Sequence, residues 1–258
     1  MNKDELIKKR LQLLINAEKA ACIDYLKLND IYCSITEVDN PYFNIVIDAR
    51  ADRHKSDNEI EACKKFFAQH NKPWLWEIFP GSDEHDLLQH GFAKLEQLQA
   101  MHFDLSKPIP HSDSTAIEIS EAQDDLRAWL EPISEMFRYE KDAESYRIQN
   151  VRLLEQRKNF RFIMGTHNGT SVTAGTLFVD EDAAWLGPLA TKAAYAKQGF
   201  GTALILYCMQ IAKELRVKHL FLNSGSINAP FYQKLGFTVY SDAFLYDPAG
   251  FVKKVGDS

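Results

Sequence analysis

The chain has 258 residues, a formal net charge of -6 and 45% hydrophobic residues, the profile of a folded protein long enough for two domains. The acidic balance and the absence of a Lys/Arg-dense block exclude a protein built mainly to grip nucleic-acid backbones. No segment reaches the roughly 20 apolar residues that cross a bilayer as a helix, so neither a membrane nor a nucleic acid is expected as a partner.

The amino terminus, MNKDELIKKRLQLL, scatters charges through its apolar residues, unlike a secretory leader, and points to the cytoplasm. Cys22, Cys33, Cys63 and Cys208 are far apart in sequence with no CxxC pair. They read as buried free thiols in a reducing compartment, and no metal site is expected. His85 and His90 fall at the wrong spacing for one helical face.

In chain order, Phe43–Asp48 reads as a strand and Asn58–His70 as a helix. From Trp74 come a strand, a Gly-Ser turn, a short helix closed by Gly-Phe, and a strand ending in Asp. The Pro- and Ser-containing stretch Ser106–Ser114 is a linker, which divides the chain into residues 1–107 and 115–258. Ala116–Ser120 alternates like a short strand. Glu121 to Phe137 carries Leu126, Trp129, Leu130, Ile133 and Phe137 at helical spacing, and a second helical stretch runs around Ser145 to Gln156. Strands follow at Asn159–Gly165, Ser171–Val179 and Ala184–Ala190, joined by a His167–Gly169 hairpin turn and an acidic turn at Asp180–Asp182. Helix Thr202–Leu215, strand His219–Asn223, helix Ala229–Leu235 and strand Phe237–Tyr246 complete a mixed α/β layout. The order strand, helix, strand, short helix, strand occurs in both halves, as in two copies of one unit.

The stretch Lys197-Gln198-Gly199-Phe200-Gly201-Thr202 lies between a strand and a helix. A first helical turn offers unpaired N–H groups and the positive end of the helix dipole, and glycine allows close backbone approach. Such a loop suits a phosphate; it equally suits a tight turn that needs glycine for its geometry alone. The corresponding loop of the first half has no glycine, and Ser56 with Glu59 has capping-box spacing, which would occupy the donors an anion needs. Gly201 is followed by Thr202-Ala203 rather than the Lys-Ser/Thr of an ATP-binding loop, and Leu204 and Asn223 replace the residues of a dinucleotide fingerprint.

WLGPLAT, KQGFG, TALILYCMQIAKEL, HLFLN and NAPFYQKLGF, in that order, resemble the acyl-CoA-binding half of the GNAT superfamily of N-acetyltransferases, over most of Ala116–Tyr246. The resemblance implies an acyl-CoA N-acyltransferase fold, with a mixed central sheet flanked by helices, and makes the first half a shortened copy without a cofactor loop. Two positions depart from the family: Ala196 stands where Arg or Gln is usual, and Thr191-Lys192-Ala193 replaces Val-x-Pro. The implied co-substrate is acetyl-CoA, its pyrophosphate on Lys197–Thr202 and its acyl and pantetheine groups along Leu189, Ala190 and Thr191, where two strands splay apart. Gly187-Pro188 suits a bulge there. Tyr232 takes the position of the general acid, against the simpler reading of a packed tyrosine. Asn228 either bonds the pantetheine or caps its helix.

The general base is left unassigned. Asp180–Asp182 reads as a solvated hairpin tip, and Glu140, in Arg138–Asp142, as a surface charge near the acceptor site. The acceptor is a small-molecule or peptide amine. The first half lines its site, completes the fold or makes a homodimer contact. The competing reading is a non-catalytic acyl-CoA-binding or interaction module.

Overall fold

The computed structural model describes residues 1–49, 54–79, 84–111, 116–122, 126–137, 152 and 159–252. Its first half holds α1 (Lys3–Ala21), β1 (Asp24–Leu28), β2 (Ile31–Ile35), β3 (Ile45–Asp48), α2 (Asp57–Gln69), β4 (Leu75–Ile78), α3 (His85–Gln89) and β5 (Ala93–Asp104). The second holds β6 (Glu118–Glu121), α4 (Arg127–Phe137), β7 (Phe160–His167), β8 (Thr170–Asp180), β9 (Ala183–Thr191), α5 (Phe200–Glu214), β10 (His219–Gly225), α6 (Ala229–Lys234) and β11 (Thr238–Asp247). The mixed α/β layout follows the sequence pattern, with two differences. Helix α1 and strands β1 and β2 lie in a region where the sequence was not resolved into elements. Glu121 belongs to β6, where it pairs with Ile163, rather than to the following helix. The stretch Ser145–Gln156 falls, apart from Arg152, outside the described residues.

All the strands join one sheet in the order β1-β2-β3-β4-β11-β5-β10-β9-β8-β7-β6. The parallel pairs are β3 with β4 and β9 with β10. Each half's last strand has crossed into the other half: β5 pairs antiparallel with β10, and β11 pairs antiparallel with β4. The two exchanged strands also pair with each other, from Thr238 opposite His102 to Asp247 opposite Ala93. The Ser106–Ser114 stretch therefore divides the chain in sequence, while the sheet runs through both parts.

Helix α1 begins with a reciprocal cap: the Asn2 side chain accepts the Glu5 N–H and the Glu5 carboxylate accepts that of Asn2. It packs across the centre of the sheet against β2, β8, β9 and β11. Leu6 and Leu13 join Trp129, Phe162 and Phe221, while Leu11, Leu14 and Ile15 join Ile47 and Phe79. Helix α5 covers the second half's other face with Leu204, Ile205, Cys208 and Met209 against Leu177, Leu186 and Leu220. Each such side chain fully withdrawn from water contributes about 1.5–3 kcal/mol.

Arg10 is fully buried under α1. It donates one Nη2 hydrogen bond to Glu77 at 2.8 Å and another to the Asn223 side chain at 2.9 Å. The guanidinium lies over Phe79, 4.3 Å from the ring centre. One side chain thus ties α1 to a strand from each half.

The acidic turn after β8 is docked rather than solvated. Asp182 pairs with Lys9, and Asp180 accepts a hydrogen bond from Asn16, because α1 passes beside it. Two thiols that are distant in sequence meet in the core, with Cys33 and Cys63 sulfurs 3.4 Å apart. All four cysteines are free, and Cys22 is only half-buried. No helix of the described residues is long and apolar enough to cross a membrane.

Residues 115–258 expressed alone are expected to yield no folded monomer by circular dichroism, because β10 and β11 lose the strand between them. Co-expression with residues 1–111 should restore a soluble complex; a folded monomer from the second half alone would show that strand exchange is dispensable. Arg10→Met leaves the Glu77 carboxylate buried without its cation and is expected to lower stability by about 3 kcal/mol in urea unfolding; an unchanged midpoint would refute that role.

Candidate functional site

Strands β9 and β10 run parallel for only three residue pairs, ending at Trp185 opposite Phe221. Beyond that point they part. On its far side β10 stays paired with β5 for its whole length, from His219 opposite Asp104 to Gly225 opposite Leu98. The splay is therefore taken up by β9. Its cause is visible in the β8–β9 ladder, where the register shifts between Gly175 and Leu177 so that Thr176 faces both Gly187 and Pro188. Two residues opposite one make a bulge, which bends the bulged strand, and proline contributes no ladder donor. The Trp129 indole donates to the Gly175 carbonyl at 2.9 Å, fixing α4 against β8 at this level.

The backbone of β9 after the bulge divides between two sides. Lys192 N–H donates to the Val172 carbonyl, so the alternation of an antiparallel strand turns Lys192 and Ala190 toward β8, and Thr191 and Leu189 toward the opening. Leu189 and Thr191 thus present main-chain groups where the sequence places the acyl and pantetheine groups. Ala190 does not; its carbonyl accepts from the Thr173 hydroxyl at 2.8 Å.

The Lys197–Thr202 loop closes against the end of β9. Gly199 is the cap of α5 in the left-handed region, φ 88°, and no side chain caps the helix. A Cβ at Gly201 would meet the Thr191 hydroxyl at 3.1 Å, a tight approach that glycine relieves. Phe200 is buried against His167 and Tyr195, so only its backbone remains for a ligand. Lys197 is exposed, and Gln198 donates its side-chain N–H to the Ala194 carbonyl. Glu135 accepts the Ala193 N–H, and Glu131 pairs with Lys192, anchoring the loop to α4. The first half's equivalent turn differs as its sequence implies: Ser56 and Glu59 form the complete capping box of α2.

A cavity of about 720 Å³ opens from the splay. One wall holds Leu186–Leu189 of β9, Asn223–Gly225 of β10, Asn228 and Tyr232. Tyr232 packs beside Phe237 and Phe231, and burial pushes its hydroxyl up to about 12. It therefore keeps its proton at neutral pH. Asn228 makes no side-chain capping bond to α6, which disfavours the cap among its two sequence readings. Leu189, Asn228 and Tyr232 are brought together in this wall, while the Lys197–Thr202 loop stands at the end of β9.

The rest of the lining was not legible in the sequence. It includes Leu14, Ala17 and Glu18 of α1, Tyr42 and Phe43 before β3, and Glu96 of β5. Burial pushes the Glu18 carboxyl up to about 7, partly offset by the Ser34 hydroxyl that donates to it at 2.7 Å and reinforced by Glu77. Glu96 is also raised by burial. Glu140, with the rest of Arg138–Asp142, lies outside the described residues.

The acetyltransferase (GNAT) family matches residues 123–237. Among solved structures, the chain is similar to a GCN5-related N-acetyltransferase from Kribbella flavida, with a TM-score of 0.68, 15% identity and 96% of each chain covered. A GCN5-related N-acetyltransferase from Sphaerobacter thermophilus gives a TM-score of 0.62 at 16% identity, covering 84% of this chain and 76% of that one. A tandem GNAT protein from the clavulanic acid biosynthesis pathway gives 0.59 at 11% identity, covering 96% and 97%. At these identities the likeness establishes the fold. No curated protein sequence matches the chain. The acetyltransferase (GNAT) family thus matches residues 123–237, and the chain carries a mixed α/β fold similar to that of GNAT structures over 96% of its length.

Proposed function

We propose that the protein is an acetyl-CoA-dependent N-acetyltransferase that moves an acetyl group to a primary amine of a small molecule or peptide by direct transfer, in the cytoplasm. The observation that carries this reading is the conjunction of an α5 start without a side-chain cap, a bulged β9, and a cavity lined by Leu186–Leu189 of that strand together with Asn228 and Tyr232. When bound, acetyl-CoA supplies an activated thioester carbonyl. The N–H groups of Gly199–Thr202 hold the pyrophosphate at the positive end of the α5 dipole, with Lys197 beside them. A main-chain N–H of Leu189 or Thr191 is placed to stabilise charge developing on the acyl oxygen. Tyr232, protonated in its buried position, gives its proton to the departing thiolate. Asn228 bonds the pantetheine arm.

The capped α2 of the first half leaves a single pyrophosphate site per chain. In this reading the first half is a shortened GNAT-like unit, residues 1–107, that has become a wall of the acceptor site of residues 115–258.

Calorimetric titration with acetyl-CoA is expected to show one site per chain; two sites would refute the reading of the first half, and none would refute the function. Gly199→Glu puts a strained left-handed residue and a negative charge at the pyrophosphate position, and is expected to weaken acetyl-CoA by at least about 100-fold. Unchanged affinity would displace the pyrophosphate from this loop. Tyr232→Phe is expected to lower kcat by about 100-fold at unchanged acetyl-CoA affinity; an unchanged rate removes Tyr232 as the acid.

A further inference from the structure

We propose that the acceptor is a lipophilic primary amine without a carboxylate, an arylalkylamine in its simplest form, and that Glu18 of the first half holds its ammonium group and accepts its proton. This rests on the acetyl-transfer reading above. The cavity lining is mainly apolar and includes the rings of Phe43, Phe160, Phe162, Phe178 and Trp185. Such walls favour a ligand with apolar bulk and an exposed cationic end. Its described lining contains two carboxyl groups, Glu18 and Glu96, and no Lys, Arg or His. An acceptor bearing a carboxylate would meet these two acidic groups with no cationic side chain among the described lining.

Glu18 is positioned for the second role by its surroundings. Ser34 Oγ donates to Oε2 at 2.7 Å, and the side chain has no ion pair among the described residues. A bound ammonium would be its cation. Thr176, opposite the bulge and lining the same cavity, has a buried hydroxyl with no hydrogen-bond partner among the described residues, a polar atom that a bound amine would satisfy. The carboxyl ionises near neutrality, at about 7, where a general base works best. The titratable groups near it are Glu77, paired with Arg10; Cys22 at the end of α1; and Glu96, Tyr42 and Tyr232 from other elements around the cavity. In the step assigned to Glu18, one proton leaves the ammonium nitrogen for a carboxylate oxygen. The amine keeps the lone pair, and water later removes the proton from Glu18.

The probes are 2-phenylethylamine and its carboxylated counterpart phenylalanine, titrated calorimetrically into the full chain, followed by turnover with acetyl-CoA from pH 5.5 to pH 9 (~0.5-unit steps, bracketing the base as for any bell-shaped profile). 2-Phenylethylamine is expected to bind saturably and phenylalanine about 100-fold more weakly. Glu18→Gln should weaken the amine by about tenfold or more while leaving acetyl-CoA affinity unchanged. A base must be deprotonated to act, so the wild-type rate should rise with pH through about 7. That rise should vanish in Glu18→Gln. In Ser34→Ala it should move to higher pH, because the hydrogen bond that favours the charged form is gone. Equal binding of the two probes, no binding of either, or a Glu18→Gln protein that keeps both amine affinity and the rise would overturn the proposal. Those results with intact acetyl-CoA binding leave the acetyltransferase reading standing; loss of acetyl-CoA binding in the wild type brings down both. The Ser34→Ala profile decides the matter independently should Glu18→Gln melt early.

Discussion

The exchange of the two final strands is the constraint on which the site depends. β10 is held on one edge by β5 along all seven of its residues, whereas it meets β9 for only three pairs. A strand secured on one side can release its neighbour on the other without leaving the sheet. In a separate second half, β10 would lose that support where the opening begins. The same exchange places β11 between β4 and β5, so neither half has a complete sheet of its own. Backbone groups along those strands must be paired or wet, and only the partner half pairs them. The opening between β9 and β10 is thus a property of the whole chain.

Helix α1 turns this topology into a chamber. Its lower face fills the seam between the halves with Leu11, Leu13 and Ile15, and Arg10 bridges Glu77 of β4 and Asn223 of β10. One turn further along, Leu14, Ala17 and Glu18 face the cavity. A buried arginine is stabilising here only because its partners are in place, since an unpaired charge at that depth costs several kcal/mol. The Arg10 contact therefore fixes the seating of α1, and with it the position of Glu18. The two halves have divided the work: one retains an uncapped helix, and the other has closed its own with Ser56 and Glu59 and supplies a wall.

What was legible in the sequence was local. Hydrophobic period located the strands and helices of the second half, and Asn168-Gly169 marked a hairpin whose two turn residues have positive φ, 49° and 74°. Gly187-Pro188 announced the bulge, and the contrast between Gly199 and Ser56 announced which helix start is left open. Each of these signals depends on a few adjacent residues. Strand exchange does not, because β5 reads the same whether it pairs with β4 or with β10. Nor does Asp182, which looks like a free hairpin charge until α1 brings Lys9 to it, or the meeting of Cys33 with Cys63, thirty positions apart in sequence. Glu18 was hidden for a further reason. On a helix whose sequence is dense in charge, one more glutamate carries no mark, and only the seating of α1 over the opening gives it a distinct environment.

In the proposed mechanism, Tyr232 and Glu18 owe opposite tasks to a single physical cause. Burial disfavours the charged form of both. For the tyrosine, whose ordinary value is already above neutrality, the shift to about 12 only secures the proton. For the glutamate, starting well below neutrality, a shift in the same direction brings it to about 7, where gain and loss of a proton are nearly balanced. In that proposal a proton donor and a proton acceptor both follow from burial in one cavity, with the Ser34 hydrogen bond and the Glu77 charge adjusting the glutamate. Because Glu18 lies in the first half and Tyr232 in the second, the proposed chemistry draws on both halves of the chain.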